Sequence, residues 1–165
     1  MRAILLIDIQ NGLTKRKLYN FPLFVQTINH SINTFREEKD LIIFVQHNNK
    51  HLKELTNDWE IDKRIDKQDS DLTIQKSHGN AFLGTDLETV LRARKINEIL
   101  ICGLVSHGCV KATCIGGLAL GLKVALLKNG HTNWDKNAEI KINLVEAELK
   151  EKGVEIIEIQ QNAGT

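Results

Sequence analysis

The chain has 165 residues, 42% of them hydrophobic and 26% charged, with 22 Lys and Arg against 21 Asp and Glu for a net charge of +1. That balance predicts a single globular domain over residues 1–165 and favours neither nucleic acid nor an anionic membrane as partner. No apolar run approaches the roughly 18 residues of a membrane span, no signal-peptide pattern opens the chain, and three cysteines without metal-type spacing argue against a disulfide framework, so the expected compartment is the cytoplasm.

Ala3 to Ile9 is an apolar run without alternation, which predicts a central strand covered on both faces. Asp8 near its end is an anomaly: a carboxylate there either caps a nearby backbone N–H or is paired and working. Asn11 to Phe21 is expected to be a loop, and Pro22 opens a helix over Leu23 to Lys39 whose dry face carries Phe24, Val25, Ile28, Ile32 and Phe35. Leu41 to Val45 predicts a second strand. Residues 48–70 lack any sustained period and predict a functional loop, with Trp59 as its one large aromatic, anchoring the loop or walling a pocket. His47 and His51 are four apart, but no third ligand is suitably spaced, so no metal site is predicted.

Leu72 to Lys76 is a third, short strand ending in lysine. Thr85 can cap a helix from Asp86, with Glu88 in capping-box spacing and Leu87, Val90 and Leu91 as its stripe. Ile99 to Cys102 predicts a fourth, buried strand. Ser106 stands at the N-cap position of a helix beginning near His107, which puts Cys109 in the first helical turn. Free N–H groups and the helix dipole would favour a thiolate there, while a buried structural cysteine is the plainer reading. Gly116-Gly117 inside that helix implies close packing, and Gly121 fits its end. Lys123 to Leu127 is a fifth strand, Lys128 to Asp135 a loop, and Asn137 to Lys152 a helix with Ile140, Leu144, Ala147 and Leu149 inward. Val154 to Ile159 makes a last, edge strand.

The fold class is therefore α/β: a single-domain doubly wound sheet of six mostly parallel strands, in order 3-2-1-4-5-6, with helices on both faces. Ligands bind such sheets at the carboxyl ends where the strand order switches, between strands one and four. Asp8, Lys76 and Cys109 converge on that crevice as acid, cation and thiol, a nucleophilic constellation. Gln10, Trp59, Phe82 and His107 are the candidate walls of a substrate pocket beside them.

Ile4-Leu-Leu-Ile-Asp-Ile-Gln-Asn11, the Lys76 segment leading to Asn80-Ala-Phe82 and Gly84-Thr-Asp-Leu87, and Cys102-Gly-Leu-Val-Ser-His-Gly-Cys-Val110 together resemble the isochorismatase-like cysteine hydrolases. The resemblance spans essentially the whole chain, down to His131-Thr132 and Asn143. It implies a Cys109–Asp8–Lys76 triad, a cis peptide between Leu104 and Val105, and an oxyanion hole from the Val105 and Cys109 amides. It also implies no cofactor, a small-molecule substrate and a homo-oligomer. Departures are Ser106, where the family often has Thr, and Asn129-Gly130, where Asp-Ala is common. Gln46-His-Asn-Asn-Lys-His51 does not match the metal motif of the nicotinamidase branch. Cys109 itself argues against isochorismate cleavage, since that branch lacks the cysteine.

The expected activity is hydrolysis of a small amide or related C–N bond through a thioester. A non-catalytic binding or scaffold module is the alternative, which loss of a triad member would favour and none is lost. A thiol redox role is disfavoured because Cys102 and Cys114 lack Cys-x-x-Cys spacing with Cys109.

Overall fold

Ala3–Ile7 forms β1, with every residue buried, in a computed structural model that describes residues 1–160. The expected domain span of 1–165 thus ends outside the described residues. The other strands are β2 (Leu41–His47), β3 (Leu72–Lys76), β4 (Glu98–Leu104), β5 (Lys123–Thr132) and β6 (Glu155–Ile157). All five ladders are parallel and the order is β3-β2-β1-β4-β5-β6, as the alternation of strands and helices predicts.

Strand alternation splits the core in two. Ala3, Leu5, Ile7, Ile43, Val45, Ile99 and Ile101 face one side, where α3 (Leu87–Ala93), α4 (Lys111–Ala119) and α5 (Ala138–Glu151) cover them through Leu87, Leu91, Cys114, Val145 and Leu149. Ile4, Leu6, Ile42, Phe44, Leu100 and Cys102 face the other, under Phe24, Ile28, Ile32 and Phe35 of α2 (Phe21–Glu37). No helix among the described residues is long and apolar enough to cross a membrane.

Two glycines decide how closely parts approach. Gly103 has φ +119°, and a Cβ there would lie 2.1 Å from the Ile7 carbonyl oxygen, so only glycine fits where β4 pairs with the end of β1. Gly116 leaves room for the Asn80 side chain, which would stand 2.3 Å from a Cβ. The packing role expected of the glycine pair is therefore visible, and it holds the segment after Lys76 against α4.

Several expectations need correction. Residues read as a loop after β1 contain the short helix α1 (Asn11–Thr14). Lys128 to Thr132 belongs to β5: the ladder jumps from Ile101↔Leu126 to Gly103↔His131, an irregularity that absorbs Asn129 in left-handed backbone and Gly130. On α5, Ile140 and Leu144 are 59% and 63% exposed and Ala147 is exposed too, while Ala138, Val145 and Leu149 face the core. Of the residues expected inward, Leu149 is buried, whereas Ile140, Leu144 and Ala147 lie on the outer face.

Candidate active site

Asp8 directly follows β1 in left-handed backbone, φ 55°, with its N–H donating to the Val45 carbonyl at 2.9 Å and only 2% of the residue exposed. Lys76 closes β3, two strands away, and its side chain is long enough to cross β2. Its Nζ lies 3.2 Å from Asp8 Oδ2, 2.7 Å from His47 Nδ1, 3.0 Å from the His78 carbonyl and 3.2 Å from Cys109 Sγ. An ammonium has three protons and accepts nothing, so these four acceptors share three N–H groups. It follows that His47 Nδ1 is the acceptor, and that the neutral ring carries its proton on Nε2. Burial and the neighbouring ammonium both push the His47 pKa down, in keeping with that tautomer.

Cys109 sits in a widened, π-type turn, Ser106–Val110, that precedes α4. Gly108 leaves helical backbone there, with φ −109° and ψ −116°. The Ser106 side chain makes no cap, contrary to expectation; its hydroxyl lies 2.8 Å from His131 Nδ1. The expected bias of Cys109 toward thiolate is also overturned. Burial first, then the charge of Asp8, push its thiol up to about 11, and the Lys76 ammonium only partly opposes them. At neutral pH this cysteine rests as a thiol. Asp8 is raised too, because burial outweighs the ammonium beside it. Its Oδ1 has no hydrogen-bond partner among the described residues.

The Leu104–Val105 peptide bond is cis. Beyond it, no acceptor faces the Val105 N–H among the described residues. His107 is exposed, with Nε2 3.3 Å from Asp135 Oδ2. Phe82 is half-buried beside Gly117 of α4. Trp59 is half-buried and its indole donates to Asn48 Oδ1, which favours anchoring of loop 48–70 over a free wall. Gln10 is not a pocket residue. It is 0% exposed, and its amide is spent on the backbone of His47 and Trp59, tying the end of β2 to the loop.

Asp8, His47 and Cys109 bring ligand atoms within 4.8 Å of one another, a donor set that invites a metal ion. It does not fit one, because the Lys76 ammonium already lies in hydrogen-bond contact with all three side chains, and a second cation there would meet a like charge. His51 is exposed, and its backbone N–H is held by Asn49 Oδ1. In the sequence His47 stands out only by its four-residue spacing from His51, as a metal ligand; its register opposite Lys76 is the signal that places it beside Asp8 and Cys109.

Of the three free cysteines, Cys102 and Cys114 are buried, and burial pushes Cys114 to about 12 and Cys102 higher still. Iodoacetamide is therefore expected to modify Cys109 first, with a rate that climbs as pH rises from neutral toward about 11. Peptide mapping after one equivalent of label checks this, and label on Cys102 or Cys114 would contradict it.

A family model for the isochorismatase domain matches residues 2–161. The uncharacterized isochorismatase family protein YddQ of Bacillus subtilis is 31% identical over 148 residues, covering 85% of this chain and 82% of that protein. Streptothricin hydrolase of Streptomyces noursei is 30% identical over 77 residues, 47% of this chain, and N-carbamoylsarcosine amidase of Arthrobacter is 34% identical over 64 residues, 39% of this chain. Those two alignments span only 28% and 24% of the relatives' own lengths. Among solved structures, an isochorismatase family protein superposes with TM-score 0.90 at 28% identity, over 94% of this chain and 97% of that one. The zinc-bound pyrazinamidase of Pyrococcus horikoshii shares the fold, with TM-score 0.85 at 21% identity over 96% and 99%.

Proposed function

The chain belongs to the isochorismatase family, and from that premise we propose that it is a cysteine hydrolase of a small amide or related C–N bond. The observation that carries the reading is the contact of one buried ammonium, Lys76, with both the Asp8 carboxylate and the Cys109 sulfur at 3.2 Å. Amide-cleaving relatives support the reaction class.

Because Cys109 rests as a thiol, attack needs a base in contact with the crevice. Asp8 Oδ1, buried and unpartnered, takes the thiol proton as Sγ bonds to the substrate carbonyl carbon. The carbonyl oxygen becomes an oxyanion held by the Val105 and Cys109 N–H groups, an effect of about 3 kcal/mol per donor in comparable sites. Collapse breaks the C–N bond while Asp8 returns its proton to the leaving amine, so an acyl thioester remains. Asp8 then takes a proton from water, whose oxygen attacks the thioester; the acid departs and the proton goes back to sulfur. Lys76 keeps Asp8 oriented and offsets the charge that develops on sulfur. No metal ion enters any step.

The test is ammonia release from a panel of primary amides and N-carbamoyl compounds, by chelator-treated wild type and by the Cys109→Ala protein. Turnover of at least one compound by the wild type, unchanged by chelation and reduced to background in the variant, is the expected result. Turnover that survives loss of Cys109, or that chelation abolishes and zinc restores, overturns the proposal.

A further inference from the structure

Ser106 is fully buried, and its Oγ lies 2.8 Å from Nδ1 of His131, which is itself 2% exposed. His131 Nε2 lies 3.0 Å from Glu146 Oε1 on α5. Lys128 Nζ stands 3.9 Å from the other Glu146 oxygen. A carboxylate only accepts, so Nε2 carries a proton toward Glu146; in the neutral ring, Nδ1 then accepts the Ser106 hydroxyl. The chain of bonds runs from α5, through the end of β5, to the residue that follows Val105. It meets the sheet where Gly103 pairs with His131 and Leu104 with Thr132, beyond the irregularity of β5. None of the three side chains has a place in the mechanism above.

We infer that Ser106, His131 and Glu146 are positioning residues that hold the Val105–Cys109 turn in the geometry of an oxyanion hole. The inference rests on the cysteine hydrolase reading and deepens it. Among the described residues the buried Ser106 hydroxyl next to Val105 has one partner, the imidazole, so the direction of the turn is set from outside the crevice. Oxyanion donors act only at the correct distance from the developing charge, and a misplacement on the order of 1 Å can cost about a hundredfold. The network touches neither Asp8 nor Lys76, so the reactivity of the sulfur itself is set elsewhere.

Two reagents separate these effects. p-Nitrophenyl acetate acylates a cysteine through a tetrahedral oxyanion: the S–C bond forms, the thiol proton passes to the base, and p-nitrophenolate leaves. Iodoacetamide alkylates sulfur by direct displacement of iodide, with no oxyanion. Ser106→Ala is expected to lower the acylation rate of Cys109 by about 10- to 100-fold while alkylation stays within about twofold. Glu146→Gln, at a partly exposed site, is expected to lower acylation by about three- to tenfold, again with alkylation nearly unchanged; it decides the matter if Ser106→Ala does not fold. Unchanged acylation in a folded variant overturns the inference, as does an equal fall in both rates, which would mean that the network merely holds the cysteine. Failure of the underlying reading has a different signature: wild type would then be acylated no faster than Cys109→Ala.

Discussion

A Lys76→Met variant is expected to lose about two to four orders of magnitude in turnover, because it removes the one charge that both catalytic partners share. Met keeps much of the apolar stem and deletes the ammonium. Asp8, 2% exposed, is left with neutral His47 near its carboxylate and no ammonium, so its already raised pKa moves higher, toward the protonated form that cannot act as a base. The same deletion removes the influence that lowers the Cys109 thiol, but an Asp8 that takes up a proton no longer raises it, so the two changes oppose each other at sulfur and turnover is the readout.

Stability follows the same sign. Breaking a buried ion pair by removing one partner costs about 3–5 kcal/mol when the other stays charged. In the variant, the folded-state pKa of Asp8 lies further above the unfolded value of 3.8, so stability is intact below that value and declines as pH rises through the folded pKa. Thermal unfolding across that range measures the decline, and adding Asp8→Asn should flatten it without restoring activity. A folded Lys76→Met protein with turnover within a few-fold of wild type would take Lys76 out of the mechanism.

The sheet was legible because its signal is local. Unbroken runs such as Ile4-Leu-Leu-Ile7 and Ile42-Ile-Phe-Val45 admit little besides buried parallel strands, and the strand order then brings Asp8, Lys76 and Cys109 together. Features that depend on distant partners were not legible. Ser106 has the chemistry of an N-cap, yet its partner is 25 residues away on β5. Gln10 follows Asp8 closely enough to suggest a pocket wall, but its amide is consumed by loop 48–70, whose path has no sequence period. On α5 the buried face is set by where β5 and β6 lie, so Ile140 and Leu144 stand outward. Cys109 misled for an electrostatic reason: a helix start and a lysine favour thiolate, but burial and the adjacent carboxylate outweigh them.

That balance makes Asp8→Asn the most discriminating substitution. If Asp8 serves only as a strand-end polar group, Asn keeps an oxygen that can accept from Lys76, and the Asp8 backbone bond to Val45 is untouched. Turnover would then follow the thiolate content of Cys109. That content rises in the variant, because the charge of Asp8 holds the thiol up, and without it the Lys76 ammonium is left unopposed to lower it. Iodoacetamide should accordingly alkylate Cys109 faster at neutral pH, with its titration displaced below about 11. If Asp8 is the base, an amide cannot accept the thiol proton, return it to the leaving amine or activate water. Turnover should then fall by about two to four orders of magnitude in the same protein whose sulfur has become more reactive. Circular dichroism establishes that the variant is folded, and the two rates are measured side by side on an amide found by the ammonia screen. Rates that diverge, alkylation up and turnover down, place the proton transfers on Asp8. Rates that rise together, or turnover within a few-fold of wild type, remove Asp8 from the mechanism and the triad with it.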